Sequence, residues 1–178
     1  MYTDKILYGF SDIYISDGSA PIPIKGAISI EINITNEVTH ARLQGVPSVP
    51  FTTNGTCSGQ MEILGLNKSE MIMMLGYKED SNGGIVVGNP TPPVLHLLFS
   101  RECADNSKQY YHVYNVRFYS ENLNANTMVE GSLEQDNMIL NLEIMYDRDY
   151  ESYYYTLNSN DNKKVASQWF NELQYPNL

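Results

Sequence analysis

Apolar and polar residues alternate with a period of two along most of this chain. The clearest run is Ile28, Ile30, Ile32 and Ile34 set against Ala27, Ser29, Glu31 and Asn33, which predicts a half-buried strand within 24–34. Upstream, Ile6, Tyr8 and Phe10 share one parity while Ile13 and Ile15 take the other. A strand over 6–16 is therefore expected to carry a bulge or kink near 9–12. Residues 16–19, with Pro21 and Pro23, then read as a turn. In 56–66, Cys57, Gly59, Met61 and Ile63 alternate with Ser58, Gln60 and Glu62. Strands are predicted again at 94–102 and 109–119, joined by a hairpin turn over 104–108. A further strand at 137–146 sets Met138, Leu140, Leu142 and Ile144 against Ile139, Asn141, Glu143 and Met145, and another covers 151–157.

Two segments change to helical spacing. Asn67 is placed to cap a helix, with Glu70 three residues on completing a capping box, Met71, Ile72, Met74 and Leu75 as the apolar stripe, and Gly76 as the stop. About two turns long, this helix must pack on a sheet to be stable. Asp161 or Asn162 starts a second helix, expected over 163–173 and burying Val165, Ala166, Trp169, Phe170 and Leu173. The span 35–56 holds Gly45, Pro47, Pro50 and Gly55 and is long for a connection, so it reads as an extended arm outside the core. Residues 77–93 are turn-rich and 120–133 polar. No internal repeat or domain linker is evident. The expected architecture is one mainly β domain over 1–178: seven or eight strands in a β-sandwich or half-barrel, with a short middle helix and a C-terminal helix.

Composition narrows the function. The net charge is −10, with 11 Lys plus Arg against 21 Asp plus Glu, which argues against a protein that grips nucleic-acid phosphates. No run of 18 apolar residues is present, so no membrane-spanning helix is expected, and the opening MYTDKILYGFSD has no basic stretch leading into an apolar one, so no secretory leader is expected. Cys57 and Cys103 fit two buried thiols or, alternatively, one disulfide. Cys57 lies in a Gly-Thr-Cys-Ser-Gly stretch, but a strand rather than a helix follows it, so it reads as a packing residue and not a nucleophile. His96 and His112 become neighbours if their strands pair, yet no third metal ligand stands at a suitable spacing. Asp147 and Asp149 have alternate spacing without the glycine and closing glutamate of a calcium loop. Neither a cofactor nor a catalytic residue is predicted. From Glu121 to Glu151 there are eight acids and a single base, Arg148, which reads as a solvated face or as a wall that repels a polyanion. The 14 tyrosines suit strands, interfaces or stacking on sugars.

The order of these features resembles a known family. ISIEINI, a long Pro/Gly loop, GQMEILGL, the helix SEMIMMLGY, the paired LHLLFSRE and YYHVYNVRFY, EIMYDRDY and the closing VASQWFNELQYP follow one another as in the major tail protein of long non-contractile-tailed (siphovirus) phages of Gram-positive bacteria. The stretch 150–155 departs from that pattern in its tyrosines and acids. The resemblance implies a structural, non-enzymatic subunit of the virion tail, made in the host cytoplasm. It implies hexameric rings, stacked into a tube with an acidic lumen through which DNA passes unbound. The implied partners are further copies of the chain, the tape measure protein, the tail terminator and the distal tail protein, with no membrane. On this reading Ser29, Glu31, Asn33, Asn141 and Glu143 face the lumen. Arg42, Leu43, Val46, Val49 and Phe51 in the arm contact the adjacent ring. Trp169, Phe170 and Tyr175 pack on the subunit's own sandwich or on a lateral neighbour. A carbohydrate-binding β-sandwich and the inner-tube subunit of a phage-tail-like bacterial injection machine are the alternatives.

Overall fold

The computed structural model describes residues 6–36, 38–41, 49–52, 55–88, 90–120 and 136–177, with 38–41 and 49–52 as backbone. In chain order the elements are β1 (Leu7–Ser16), β2 (Ile22–Ile24), β3 (Ala27–Thr35), β4 (Val38–Ala41), β5 (Val49–Thr52), β6 (Thr56–Ile63), α1 (Lys68–Leu75), β7 (Lys78–Glu79), β8 (Ile85–Val86), β9 (Leu95–Cys103), β10 (Lys108–Ser120), β11 (Met138–Ile144), β12 (Tyr154–Asn158) and α2 (Lys163–Gln168). The main sheet is antiparallel and runs β2-β1-β9-β10-β11-β6-β3, with β12 also on β10. The fold is mainly β, as the alternation predicts.

The 13-residue β10 serves two half-sheets. Its first half lies between β9 and β12, and from Val116 to Ser120 it pairs with β11. The switch is a bulge between Val113 and Val116, where Asn115 takes a φ of 48° and its amide donates to Asp147 Oδ2 at 3.0 Å. The two half-sheets fold toward each other over one core that includes Ile13, Met61, Ile63, Phe99, Val116, Phe118 and Leu140. β1 and β3 approach across the opening without pairing, which makes this a half-barrel.

The predicted kink in β1 is present as two register shifts, between Tyr8 and Ser11 and between Ser11 and Tyr14. Gly9 and Asp12 occupy the left-handed region there. The Asp12 carboxylate accepts from Lys108 Nζ at 2.8 Å and Ser100 Oγ at 3.1 Å, and the lysine holds this carboxyl below its ordinary range. α1 carries the full predicted capping box on Asn67 and Glu70 and ends in a left-handed Gly76; it inserts Met74 and Leu75 into the core.

Four expectations need correction. The C-terminal helix stops at Gln168 rather than 173, because Trp169 turns into the sheet and the chain bends over 169–172. Pro23 lies not in a turn but in the short strand β2, at the sheet's edge, where its missing N–H breaks no ladder. Within the predicted arm, β4 and β5 pair into a two-stranded ribbon that belongs to neither half-sheet; Pro50 and the surrounding glycines hid those strands. Finally, β3 is an edge strand, so its apolar face is only partly covered: Ile30 and Ile32 are half-buried, whereas Ile28 and Ile34 remain 43% and 42% exposed.

Candidate functional site

The second half-sheet presents its other face to solvent, and that face is mostly polar by register, with the exposed Ile139 opposite Glu62 as an apolar member. Glu31 of β3 stands opposite Gln60 of β6, which stands opposite Asn141 of β11; Asn33, Ser58 and Glu143 form the next row. Ser29 pairs with Glu62, and on β10 Arg117 and Tyr119 flank Glu143 and Asn141. The side chains are cross-linked by hydrogen bonds. Gln60 donates to Asn141 Oδ1 at 3.1 Å, Asn33 to Glu31 Oε1 at 2.9 Å, and Tyr119 OH to Glu143 Oε2 at 2.8 Å. Glu62 accepts from Asn137 at 2.8 Å and from Ser29 at 3.4 Å. Arg117 stands 3.9 Å from Glu143. The wall thus carries the carboxylates of Glu31, Glu62 and Glu143 against the guanidinium of Arg117.

Ser29, Glu31, Asn33, Asn141 and Glu143, singled out in the sequence, therefore lie on one continuous face. Ser58, Gln60, Glu62, Arg117 and Tyr119 share it and were missed. The parity of Ser58, Gln60 and Glu62 was visible in the sequence; what placed them here is the pairing of β6 between β3 and β11.

The residues proposed for packing lie on the outer face of the first half-sheet. Trp169 is fully buried, its ring against Tyr110 and Tyr155 and its indole N–H donating to the Tyr111 carbonyl at 3.4 Å. That burial leaves its ring no surface for a neighbouring molecule. Phe170 stacks on Tyr14, with centroids 4.5 Å apart, and Tyr175 stacks on Tyr150 at 4.7 Å. The terminal segment is thereby strapped across β1, β9, β10 and β12. Tyr110, Tyr114, Tyr150 and Tyr155 all face other rings in this strap, so their faces form no open platform for a sugar.

His96 and His112 do meet. His112 Nδ1 is 2.7 Å from the Gln174 carbonyl oxygen, and its Nε2 is 3.1 Å from His96 Nδ1. A carbonyl only accepts, so His112 carries its proton on Nδ1 and His96 donates to Nε2. Burial pulls His112 down to about 4; the Gln174 bond and the charge of Asp147 oppose that shift, while His96 adds to it. The pair is a structural tie for the terminal strap. Cys57 and Cys103 are free and buried, and burial pushes Cys57 up to about 11, so it is an inert thiol within β6. Asp147 organises its own turn, accepting from the backbone N–H groups of Asp149 and Tyr150. Among the described residues no group of three or more His, Cys, Asp or Glu could hold a metal ion, and no helix is long and apolar enough to cross a membrane.

Val49 and Phe51 of the predicted arm lie in β5, while Arg42, Leu43 and Val46, like 121–135 with Glu121, Glu130 and Glu134, lie outside the described residues.

The chain belongs to the phage tail tube protein family, whose match spans residues 13–172. It is thus a structural component of the virion tail rather than an enzyme, and the family implies self-assembly and association with other tail components. No curated protein matches the chain significantly. Among solved structures it is similar to the cap of an anti-feeding prophage, a tube terminating cap, at 10% identity over 85% of this chain and 93% of that one, with a TM-score of 0.49. It is also similar to the sheath/tube terminator of an extracellular contractile injection system, PVC, in its extended state, at 11% identity over 84% and 97% of the two chains, with a TM-score of 0.47.

Proposed function

We propose that this chain is the major tail protein of a long non-contractile phage tail, made in the cytoplasm of a Gram-positive host, and that it forms stacked hexameric rings around a DNA-conducting lumen. The carrying observation is a polar, carboxylate-bearing sheet face with, on either side, an edge that pairs with no strand among the described residues. One edge is β3, the end of the sheet order. The other is the stretch of β10 after Val116, beyond its last pairing with β9 at Leu95. Two different edges on one sheet allow each copy to pair head-to-tail with the next until a ring closes.

The wall chemistry suits a conduit. Carboxylates of Glu31, Glu62 and Glu143 oppose phosphate binding, and Arg117, beside Glu143, offers little net attraction to a polyanion. The β4–β5 ribbon, standing outside the sandwich, supplies the contact to the adjacent ring. The tape measure protein, tail terminator and distal tail protein are the tail components this subunit would meet.

Negative-stain microscopy of the purified chain over a range of concentrations tests the reading. Rings or tubes are expected, and single particles at every concentration, including with tail-initiating proteins added, overturn it. Deleting 40–53 should leave a folded subunit that fails to stack. Glu31→Lys with Glu143→Lys should yield tubes that retain DNA, and unchanged DNA release would remove this face from the lumen.

A further inference from the structure

Between β3 and the facing half-sheet runs an open groove of about 570 Å³. That size falls within the range of small-molecule sites, roughly 300–1,000 Å³. One wall is the row Ile28, Ile30, Ile32 and Ile34, with Phe10 and Phe99 across from it. At the rise of a strand the row is about 20 Å long. Ile28 and Ile34, at its two ends, are both exposed. An apolar trough of this kind is a surface that soluble proteins use or cover.

A cation lines the same trough. Arg101 of β9 shares its parity with Leu97 and Phe99, which belong to the core, and so its side chain lies on the groove side of the sheet, away from Ser100 and Glu102. It is half-buried, and its guanidinium donates to the Leu7 carbonyl at 3.4 Å. Among the described residues no carboxylate stands within ion-pair distance of it, whereas Lys108, on the outer face, meets both Asp12 and Glu102. Tyr111 stands beside Arg101 in the groove; burial raises its phenol, and the guanidinium opposes that shift. A planar guanidinium against apolar walls suits an anion that brings its own carboxylate and takes two parallel hydrogen bonds.

The lining decides between two kinds of extended occupant. A peptide laid over the isoleucine side chains would bury its N–H and C=O groups against aliphatic carbon that pairs with none of them. An alkyl chain carries no such groups, and each methylene it lays on the wall adds to binding. The length of the row is the reach of a long-chain acyl tail.

We propose that this groove binds a long-chain fatty acid, its tail along the isoleucine row of β3 and its carboxylate on Arg101. The site lies within one subunit, so the inference stands or falls independently of the proposed self-assembly. Its occupant covers Ile28 and Ile34 and gives Arg101 a counter-charge.

Calorimetric titration of the dilute full chain with octanoate, decanoate and laurate, each below its micellar range, tests this. One ligand per chain is expected, with affinity rising by about tenfold per two methylenes. Decanol, the neutral chain of equal length, should bind about tenfold more weakly than decanoate. Arg101→Gln should weaken decanoate by a similar factor and leave decanol unchanged. Ile28→Asp, at an exposed end of the groove, should weaken both while circular dichroism stays that of the unsubstituted chain. A diazirine-bearing laurate should label peptides of β3 and β9. Absence of saturable binding, or labelling confined to other elements, overturns the proposal. Equal affinity for decanoate and decanol overturns it too, by reducing the groove to an apolar surface without anion recognition. That contrast is read on the unsubstituted chain and decides the matter even if Arg101→Gln fails to fold.

Discussion

His112 shows how one buried side chain couples the fold to pH. Its two nitrogens are both engaged, one by the Gln174 carbonyl and one by His96, and burial holds it at about 4 against an ordinary 6.5. A base whose proton affinity falls on folding is protonated first in the unfolded chain. Its contribution to stability is complete above about pH 6.5, declines as pH falls, and is gone near pH 4. His96, lowered mainly by burial as well, acts in the same sense. The wild-type subunit should lose on the order of 3 kcal/mol across that window. His112→Phe should be less stable at pH 7 and should lose less stability than the wild type between pH 6.5 and 4, the remaining slope coming from His96 and from carboxylates such as Asp12, as read from urea midpoints at half-unit intervals. The sequence placed the two histidines on strands that could pair. It held no sign of Gln174, which is distant along the chain and reaches His112 only because Trp169 and Phe170 anchor the terminal segment.

At the scale of elements, what was legible was local. The capping box of α1 is written in Asn67, Glu70 and Gly76, and the structure has all three in role. Asn67→Ala removes the side-chain oxygen that accepts from the Glu70 N–H and should cost about 1 kcal/mol in chemical denaturation. Strand alternation was legible for the same reason, since the two faces of a strand differ in solvent. The run Leu95, Leu97, Leu98 and Phe99 breaks alternation because β9 is buried on both sides, under the core and under the terminal strap. Pairing order, by contrast, is set by contacts far apart in sequence, so the edge position of β3 was hidden. Gly59 marks where that edge is held. A Cβ there would run into the Glu31 carbonyl of β3, so Gly59→Ala should push the strand off β6. Hydrogen exchange should then show lost protection at Ile30 and Ile32 while β9 and β10 stay protected.

For the whole molecule the dominant quantity is charge. A subunit at −10 that packs against copies of itself must overcome its own field. Raising salt from about 20 to 200 mM shortens the screening length from roughly 20 to 7 Å and should promote assembly of this chain, the reverse of what a phosphate-binding protein shows with DNA. Sedimentation of the pelletable fraction against salt concentration checks this, and assembly that weakens over that range would assign the dominant contacts to opposite charges. The polar wall was partly legible at this scale: three of its strands alternate visibly, but only the fold brings Arg117 of β10 beside Glu143. The buried indole has a practical consequence. Trp169 is the chain's only tryptophan and is sealed under the terminal strap. Its fluorescence therefore reports a single location without any label: emission should shift to longer wavelengths if the strap lifts, and hold its colour if subunits join through surfaces elsewhere.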